Sequence, residues 1–258
     1  MATYLNDAVH CARLAGNFLK EMFAGNELSV EQKGRHDFVT SADKGAEEII
    51  VEYLTETYPE HTIISEERGM IEKKNSKYTW YVDPLDGTTN FIHHIPYFNT
   101  SIALEENGVL LCGAVYNPIL DEVFYAERGG GAFLNGSKIS PSKNNMLEKA
   151  FIGICHGRSD EEISAFLKIM GELKYMVGDI RKLGSAALEI CYTASGRIDA
   201  FIGYGVKPWD FKAGLIVGLE SGCKAGGVRK EMIEKDAIMI ASPNIYNDIR
   251  SILNKVVQ

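Results

Sequence analysis

WYVDPLDGTTNF, residues Trp80 to Phe91, runs from an apolar strand-like segment into two carboxylates and then a small-residue stretch. Asp83 and Asp86 are separated by Pro84 and Leu85. Proline's restricted φ predicts a turn there that aims both acids toward one point at the end of a strand. Two carboxylates so close repel unless a cation lies between them. A hard divalent ion such as Mg²⁺ suits them, since it takes oxygen ligands and keeps room for substrate phosphate. Gly87, Thr88 and Thr89 follow, and the backbone N–H groups of such a segment can face an anion at a helix start. Alone, DPLDG also reads as an ordinary surface turn. What favours chemistry is its company: a second acid pair, Glu66 and Glu67, ends the preceding strand-like run, Thr62 to Ser65.

Outward from this stretch the chain alternates. Leu5, Ala8, Ala12, Ala15, Leu19 and Met22 keep helical spacing, and a second helix opens near Asp43 with Thr40 or Ser41 as cap and Pro59 past its end. From Phe98 to Leu134 the pattern turns to antiparallel strands with an Asn107-Gly108 hairpin. Gly129 to Gly131 lacks the spacing of a phosphate loop and reads as a strand turn. Beyond it come a strand at Phe151 to Cys155, helices at Asp160 to Met170 and Ser185 to Ala194, a strand at Ile198 to Ile202, a helix from Trp209 to Glu220, and a last helix from Asn244. Gly196 and Gly222 read as helix stops. No internal repeat or linker-like stretch interrupts the 258 residues. The whole chain, 1–258, reads as one α/β domain with halves of roughly 1–140 and 141–258.

Composition narrows the partners. Acids exceed bases by 35 to 27, a net charge of −8, which argues against nucleic acid or anionic lipid as a partner. The five cysteines are scattered without a CxxC pair, so neither a disulfide framework nor a zinc site is suggested and a reducing cytoplasm is expected. No window has the roughly 20 apolar residues of a membrane span. His93 and His94 follow the key motif, but imidazole is softer than Mg²⁺ prefers and paired loop histidines are usually just exposed. Phe91, Tyr97 and Phe98 either wall the site or fill the core. A calcium loop of the D-x-[DN]-x-[DN]-G kind is absent.

Four motifs in order, DFVTSAD (Asp37 to Asp43), SEERG (Ser65 to Gly69), WYVDPLDGTTNF and WDFKAG (Trp209 to Gly214), resemble those of the inositol monophosphatase family of metal-dependent, lithium-sensitive phosphatases. The resemblance implies a layered αβαβα sugar-phosphatase fold, a homodimer, and two or three Mg²⁺ ions at one phosphate site. Carried onto this chain, Glu66, Asp83 and the Leu85 carbonyl would hold one metal, and Asp83, Asp86 and Asp210 another. Gly87 and Thr88 would bind phosphate, while Thr88 and Asp43 would orient the water with Glu67 assisting. Asp86, Gly184, Ser185, Ala186 and Asp210 would meet the substrate's hydroxyls. Lys33 falls in the region of the family's mobile loop. Many inositol phosphatases carry a Glu seven residues before the WD aspartate, where this chain has Gly203. The expected activity is Mg²⁺-dependent hydrolysis of a small polyol or sugar phosphate, inositol 1-phosphate first. Fructose-1,6-bisphosphatase or histidinol-phosphatase activity is the alternative on the same scaffold, and a regulatory or binding homodimer of low activity the other. Thr89-Asn90 differs from the Lys-Glu of the nucleotide phosphatase branch.

Overall fold

The computed structural model describes residues 3–25, 28–34, 37–230, 233–234 and 236–256; Arg35 and His36, within the KGRHDF segment, lie outside them. The chain opens with α1 (Thr3–Ala24), a hairpin of β1 (Val30–Gly34) and β2 (Asp37–Thr40), and α2 (Ser41–Thr57). Thr40 caps α2: its side chain accepts the Ala42 and Asp43 N–H groups, and Asp43 returns a bond to the Thr40 N–H.

The first large sheet follows: β3 (Thr62–Ser65), β4 (Gly69–Ile71), β5 (Tyr78–Asp86), then α3 (Thr88–Ile92), and the meander β6 (Asn99–Glu106), β7 (Val109–Asn117), β8 (Glu122–Glu127), β9 (Gly131–Leu134) and β10 (Ser137–Lys138). Its strand order is β10-β9-β8-β7-β6-β5-β3-β4. Asn107 and Gly108, both at positive φ (49° and 83°), make the two-residue hairpin turn the sequence announced. The DPLD segment does not turn. It stays extended to the end of β5, and the ladder slips between Asp83↔Ser101 and Asp86↔Asn99, which inserts one extra residue. Pro84 has no N–H to give the ladder, and a bulge is where a sheet tolerates that.

The second sheet is built from β11 (Phe151–His156), α4 (Asp160–Lys174), β12 (Asp179–Arg181), α5 (Ala186–Ala194), β13 (Ala200–Tyr204), α6 (Pro208–Ser221), β14 (Lys224–Gly226), β15 (Ala237–Ala241) and α7 (Tyr246–Val256). Its order is β12-β11-β13-β15-β14, with β12, β11 and β13 parallel. Several boundaries differ from the sequence reading, and α4 runs four residues further than expected, to Lys174. β13 lies two residues later, because Asp199 uses its carboxylate on the Phe151 N–H (2.8 Å) as a loop anchor. The last helix begins at Tyr246, since the Asn244 side chain bonds the Lys143 carbonyl (3.1 Å) instead of capping.

Strand alternation sorts the core into layers. Trp80, Val82, Ile102, Leu104 and Ala114 face α1 and α2. The opposite face of that sheet, with Ala103, Val115 and Phe124, meets Ala187, Leu188 and Cys191 of α5 and Ala213, Ile216 and Val217 of α6. The other side of α5 and α6, with Ile190, Phe211 and Leu215, packs on Phe201, Ile238 and Ile240 of the second sheet. Its far face is covered by Phe166, Ile169 and Leu173 of α4 and Ile249, Ile252 and Leu253 of α7. The order is therefore helix, sheet, helix, sheet, helix: the αβαβα arrangement. No described helix is long and apolar enough to cross a membrane, and all five cysteines are buried and unbridged.

Candidate active site

β3 and β5 run parallel with Ser65 opposite Val82, and the Glu66 N–H continues the ladder onto the Val82 carbonyl at 3.2 Å. This register sets Glu66 beside Asp83 at the carboxyl ends of two neighbouring strands, where open α/β sheets hold ligands. Asp83 is 2% exposed and within hydrogen-bonding reach of Glu66. Its Oδ1 accepts the Leu85 N–H at 3.1 Å, which folds the bulge back over the carboxylate.

Asp43 enters from the first turn of α2. Its Oδ2 accepts the Thr40 N–H (2.8 Å) and hydroxyl (2.5 Å), while Oδ1 lies 2.9 Å from the Thr88 hydroxyl. That hydroxyl is also 3.1 Å from the Leu85 carbonyl, so one proton is shared between the two acceptors. Thr88 is the first residue of α3, and Gly87 before it has φ +105°. A Cβ at Gly87 would sit 3.0 Å from the Tyr97 carbonyl, so glycine is needed there for conformation and for space alike. The first N–H groups of α3 have no intrahelical acceptor and are free to face an anion.

Asp86 ties the first sheet to α5. Its Oδ2 accepts from the Ser185 hydroxyl (2.7 Å), the Ala187 N–H (2.9 Å) and the Asn99 amide (3.0 Å). The Gly184-Ser185-Ala186 segment thus lies against Asp86. Asn99, buried and also bonded to Ser185 (2.7 Å), and Asn90, which bonds the Leu183 carbonyl (2.8 Å), complete this joint. Glu189 takes the Leu183 and Gly184 N–H groups on one oxygen. Asp210, third residue of α6, accepts the Lys207 N–H at 2.7 Å, so it caps its own helix while its charge bears on Glu66, Asp83 and Asp86.

Glu67 pairs with Lys33. The turn that carries Glu66 and Glu67 is held by a residue the sequence reading did not single out, the buried Glu47 of α2. Its Oε1 accepts the Ser65 hydroxyl, the Glu67 N–H (3.1 Å) and the Arg68 N–H (2.9 Å), and its Oε2 meets the Arg68 guanidinium at 3.3 Å. The usable signal was its spacing: Glu47 is one helical turn past Asp43 and shares its face.

Burial and mutual repulsion push these acids upward. Glu66 rises to about 8 through burial and the charges of Asp210 and Glu67, with Lys33 opposing. Asp210 rises to about 7 through burial, against the Lys207 N–H. Asp83 rises well above the usual range, from burial and then Glu66, Asp86 and Asp210. Burial raises Asp86 and Asp43 as well, with hydrogen bonds opposing it. The donor set is all oxygen and carries surplus negative charge, which fits a hard divalent cation. The acids meet in pairs, however: among the described residues no group of three or more His, Cys, Asp or Glu side chains is arranged to hold a metal ion. Asp86 and Asp210 each commit an oxygen to a helix N-terminus.

His93 and His94 are exposed, with His94 against Phe23. Gly129 to Gly131 forms the β8–β9 turn, its N–H groups at 129 and 131 taken by Glu220 (2.9 and 3.0 Å). Phe91 and Phe98 fill the core beside Phe23. Gly203 is buried in β13, where a Cβ would meet Val206 and Phe201 at 3.0 and 3.1 Å.

Comparison with known proteins adds five findings. The model of the Inositol monophosphatase family matches residues 1–257. The chain is 39% identical over 249 residues to the Nus factor SuhB of Vibrio cholerae, covering 94% of this chain and 92% of that protein. It is 41% identical over 224 residues to the inositol-1-monophosphatase of Mesorhizobium japonicum, covering 84% and 83%. Among solved structures, the extragenic suppressor protein suhB of Bartonella henselae superposes with a TM-score of 0.93 at 34% identity, over 98% of this chain and 99% of that one. The inositol monophosphatase of Anabaena superposes at 0.88 and 30%, over 98% and 96%.

Proposed function

The chain belongs to the inositol monophosphatase family, and on that premise we propose that it is a Mg²⁺-dependent phosphomonoesterase of small polyol or sugar phosphates. The observation that carries this is the Glu66–Asp83 pair at neighbouring strand ends, next to a Thr88 hydroxyl bonded to Asp43. On the family resemblance, Glu66, Asp83 and the Leu85 carbonyl would hold one ion and Asp83, Asp86 and Asp210 another; of these side chains the structure pairs Glu66 with Asp83. Mg²⁺ bound there would lower the pKa of a coordinated water and offset phosphate charge during in-line displacement. The N–H groups at the entry to α3, those of Gly87 and Thr88, bind phosphate oxygens. The Thr88 hydroxyl, its proton shared by Asp43 and the Leu85 carbonyl, orients the attacking water through its lone pairs. Lys33 fixes Glu67 at the same mouth, and Ser185 with the bare backbone at Gly184 lines the alcohol side. Inositol 1-phosphate is the reference substrate because a relative carries that activity in its name; fructose 1,6-bisphosphate and histidinol phosphate are the alternatives. The family resemblance further supports a homodimer in the cytoplasm.

Phosphate release from these esters, with Mg²⁺ or with EDTA, tests the reading, and Asp83→Asn is its sharpest control. That variant should fold and lose at least about a thousandfold in Mg²⁺-dependent kcat. Turnover near that of the parent would sink the metal assignment. A second reading, a binding protein with little turnover, is favoured by the relatives named Nus factor. Folded protein that releases no phosphate from any ester would support it.

A further inference from the structure

The segment that joins β12 to α5 has its backbone held from two sides. Asn90 of α3 bonds the Leu183 carbonyl at 2.8 Å. Opposite it, Oε1 of Glu189 accepts the N–H groups of both Leu183 (3.2 Å) and Gly184 (3.1 Å). Gly184 follows this path at φ +88°, and a Cβ there would sit 3.1 Å from the Asn90 amide. Ser185 comes next, caps α5 and reaches Asp86 through its hydroxyl at 2.7 Å. Glu189 is a demanding choice for this clamp. It is completely buried, and among the described residues its second oxygen has no hydrogen-bond partner. That oxygen faces Gly153 of β11, where a Cβ would approach it to 2.5 Å. Burying a carboxyl with half of its hydrogen-bonding capacity unused destabilises a fold. What the arrangement gains is placement: one acceptor shared by two consecutive N–H groups fixes the orientation of two successive peptide planes.

We infer that Glu189 is a positioning residue for the alcohol side of the site: by holding Leu183 and Gly184 it sets Ser185 against Asp86, and so sets the preference for esters whose alcohol carries hydroxyls over esters whose alcohol carries none. This rests on the phosphatase reading of the neighbouring acids. Being fully buried, Glu189 acts only through the segment it holds. A hydroxylated alcohol is recognised by hydrogen bonds whose protein partners must be placed to within roughly 0.5 Å. An aromatic alcohol with no further hydroxyl makes none of those bonds, so its turnover is indifferent to where the segment lies.

The test is the ratio of kcat/KM for inositol 1-phosphate to that for phenyl phosphate in Mg²⁺, measured in the parent and three variants. Glu189→Leu removes the acceptor and should lower the ratio about tenfold, mainly through KM for inositol 1-phosphate. Glu189→Gln keeps an oxygen able to accept both N–H groups and should hold the parent's ratio. Gly153→Ala crowds the second oxygen of Glu189 from β11 and leaves residues 183–189 unaltered; it should lower the ratio by at least about threefold. A general structural fault would slow both esters alike and leave the ratio where it was. An unmoved ratio in Glu189→Leu overturns the inference, as does a fall in Glu189→Gln equal to that in Glu189→Leu. Where Glu189→Leu does not fold, an unmoved ratio in Gly153→Ala overturns it instead. A parent that hydrolyses neither ester fails the phosphatase reading and the inference with it, whereas a parent that hydrolyses both, with a ratio no variant moves, fails the inference alone.

Discussion

Asp83 has little to stabilise its charge and much to oppose it: it is buried, and Glu66, Asp86 and Asp210 all raise it. Its replacement by asparagine should therefore raise thermal stability in EDTA while abolishing activity, because the fold is relieved of one repelling carboxyl. A rise of roughly 2–4 °C in Tm is expected, and a fall would show that the carboxylates are not in conflict. Glu47 behaves oppositely. Glu47→Ala leaves the Ser65 hydroxyl and the N–H groups of Glu67 and Arg68 without their acceptor, at a cost of about 2–4 kcal/mol by urea denaturation. It should also weaken Mg²⁺ activation, since the Glu66–Glu67 turn hangs from it. The motif acids were legible because Asp and Glu at strand ends are conspicuous. Glu47 was not, since a glutamate among ADKGAEE reads as a solvated helix face until the sheet beneath it is known.

At the scale of elements, the entry to α3 is the most sensitive joint. Gly87→Ala forces a side chain into positive φ and against the Tyr97 carbonyl, a penalty of about 1–3 kcal/mol. Because Thr88 follows directly, kcat should fall more than stability alone would suggest; a variant that denatures earlier yet turns over normally would free Gly87 of any role in phosphate binding. A helix with a single buried face was readable from period, as α1 shows, and the β6–β7 hairpin from its Asn107-Gly108 turn. β1 was not: its five residues are all exposed, so no alternation marks it. α6 could be located but not oriented. Sheets pack on both sides of it, so its apolar residues form no stripe, and the layering came from the family resemblance instead. The DPLD bulge was read as a turn because proline and aspartate serve both, and only the pairing of Asp86 with Asn99 tells them apart.

The whole molecule should respond to pH through its buried acids. Glu66 and Glu189 sit near 8 and Asp210 near 7. Folded pKa values above unfolded ones mean that the native state binds more protons between about pH 4.5 and 8. Stability is therefore highest at the acid end of that window and is lost as pH rises through it. In EDTA, Tm at pH 8.5 should lie at least about 4 °C below that at pH 5.5, and millimolar Mg²⁺ should narrow the gap. A flat or rising profile would mean that these carboxyls are already ionised in the folded protein.

α6 also has a mechanical consequence. Close approaches clamp it from both sides: Gly113 of β7 leaves no room beyond Ala213 and Ile216, and Gly218 none beyond Ile240 of β15. Its leading end carries Asp210, while Glu66, Asp83 and Asp86 hang from the first sheet. The helix is a tie rod between two slabs with one acid of the candidate site bolted to its tip. Any shear between the slabs is converted into a change of carboxylate spacing, so hydrostatic pressure or a ligand wedged along that seam would detune the chemistry without touching it.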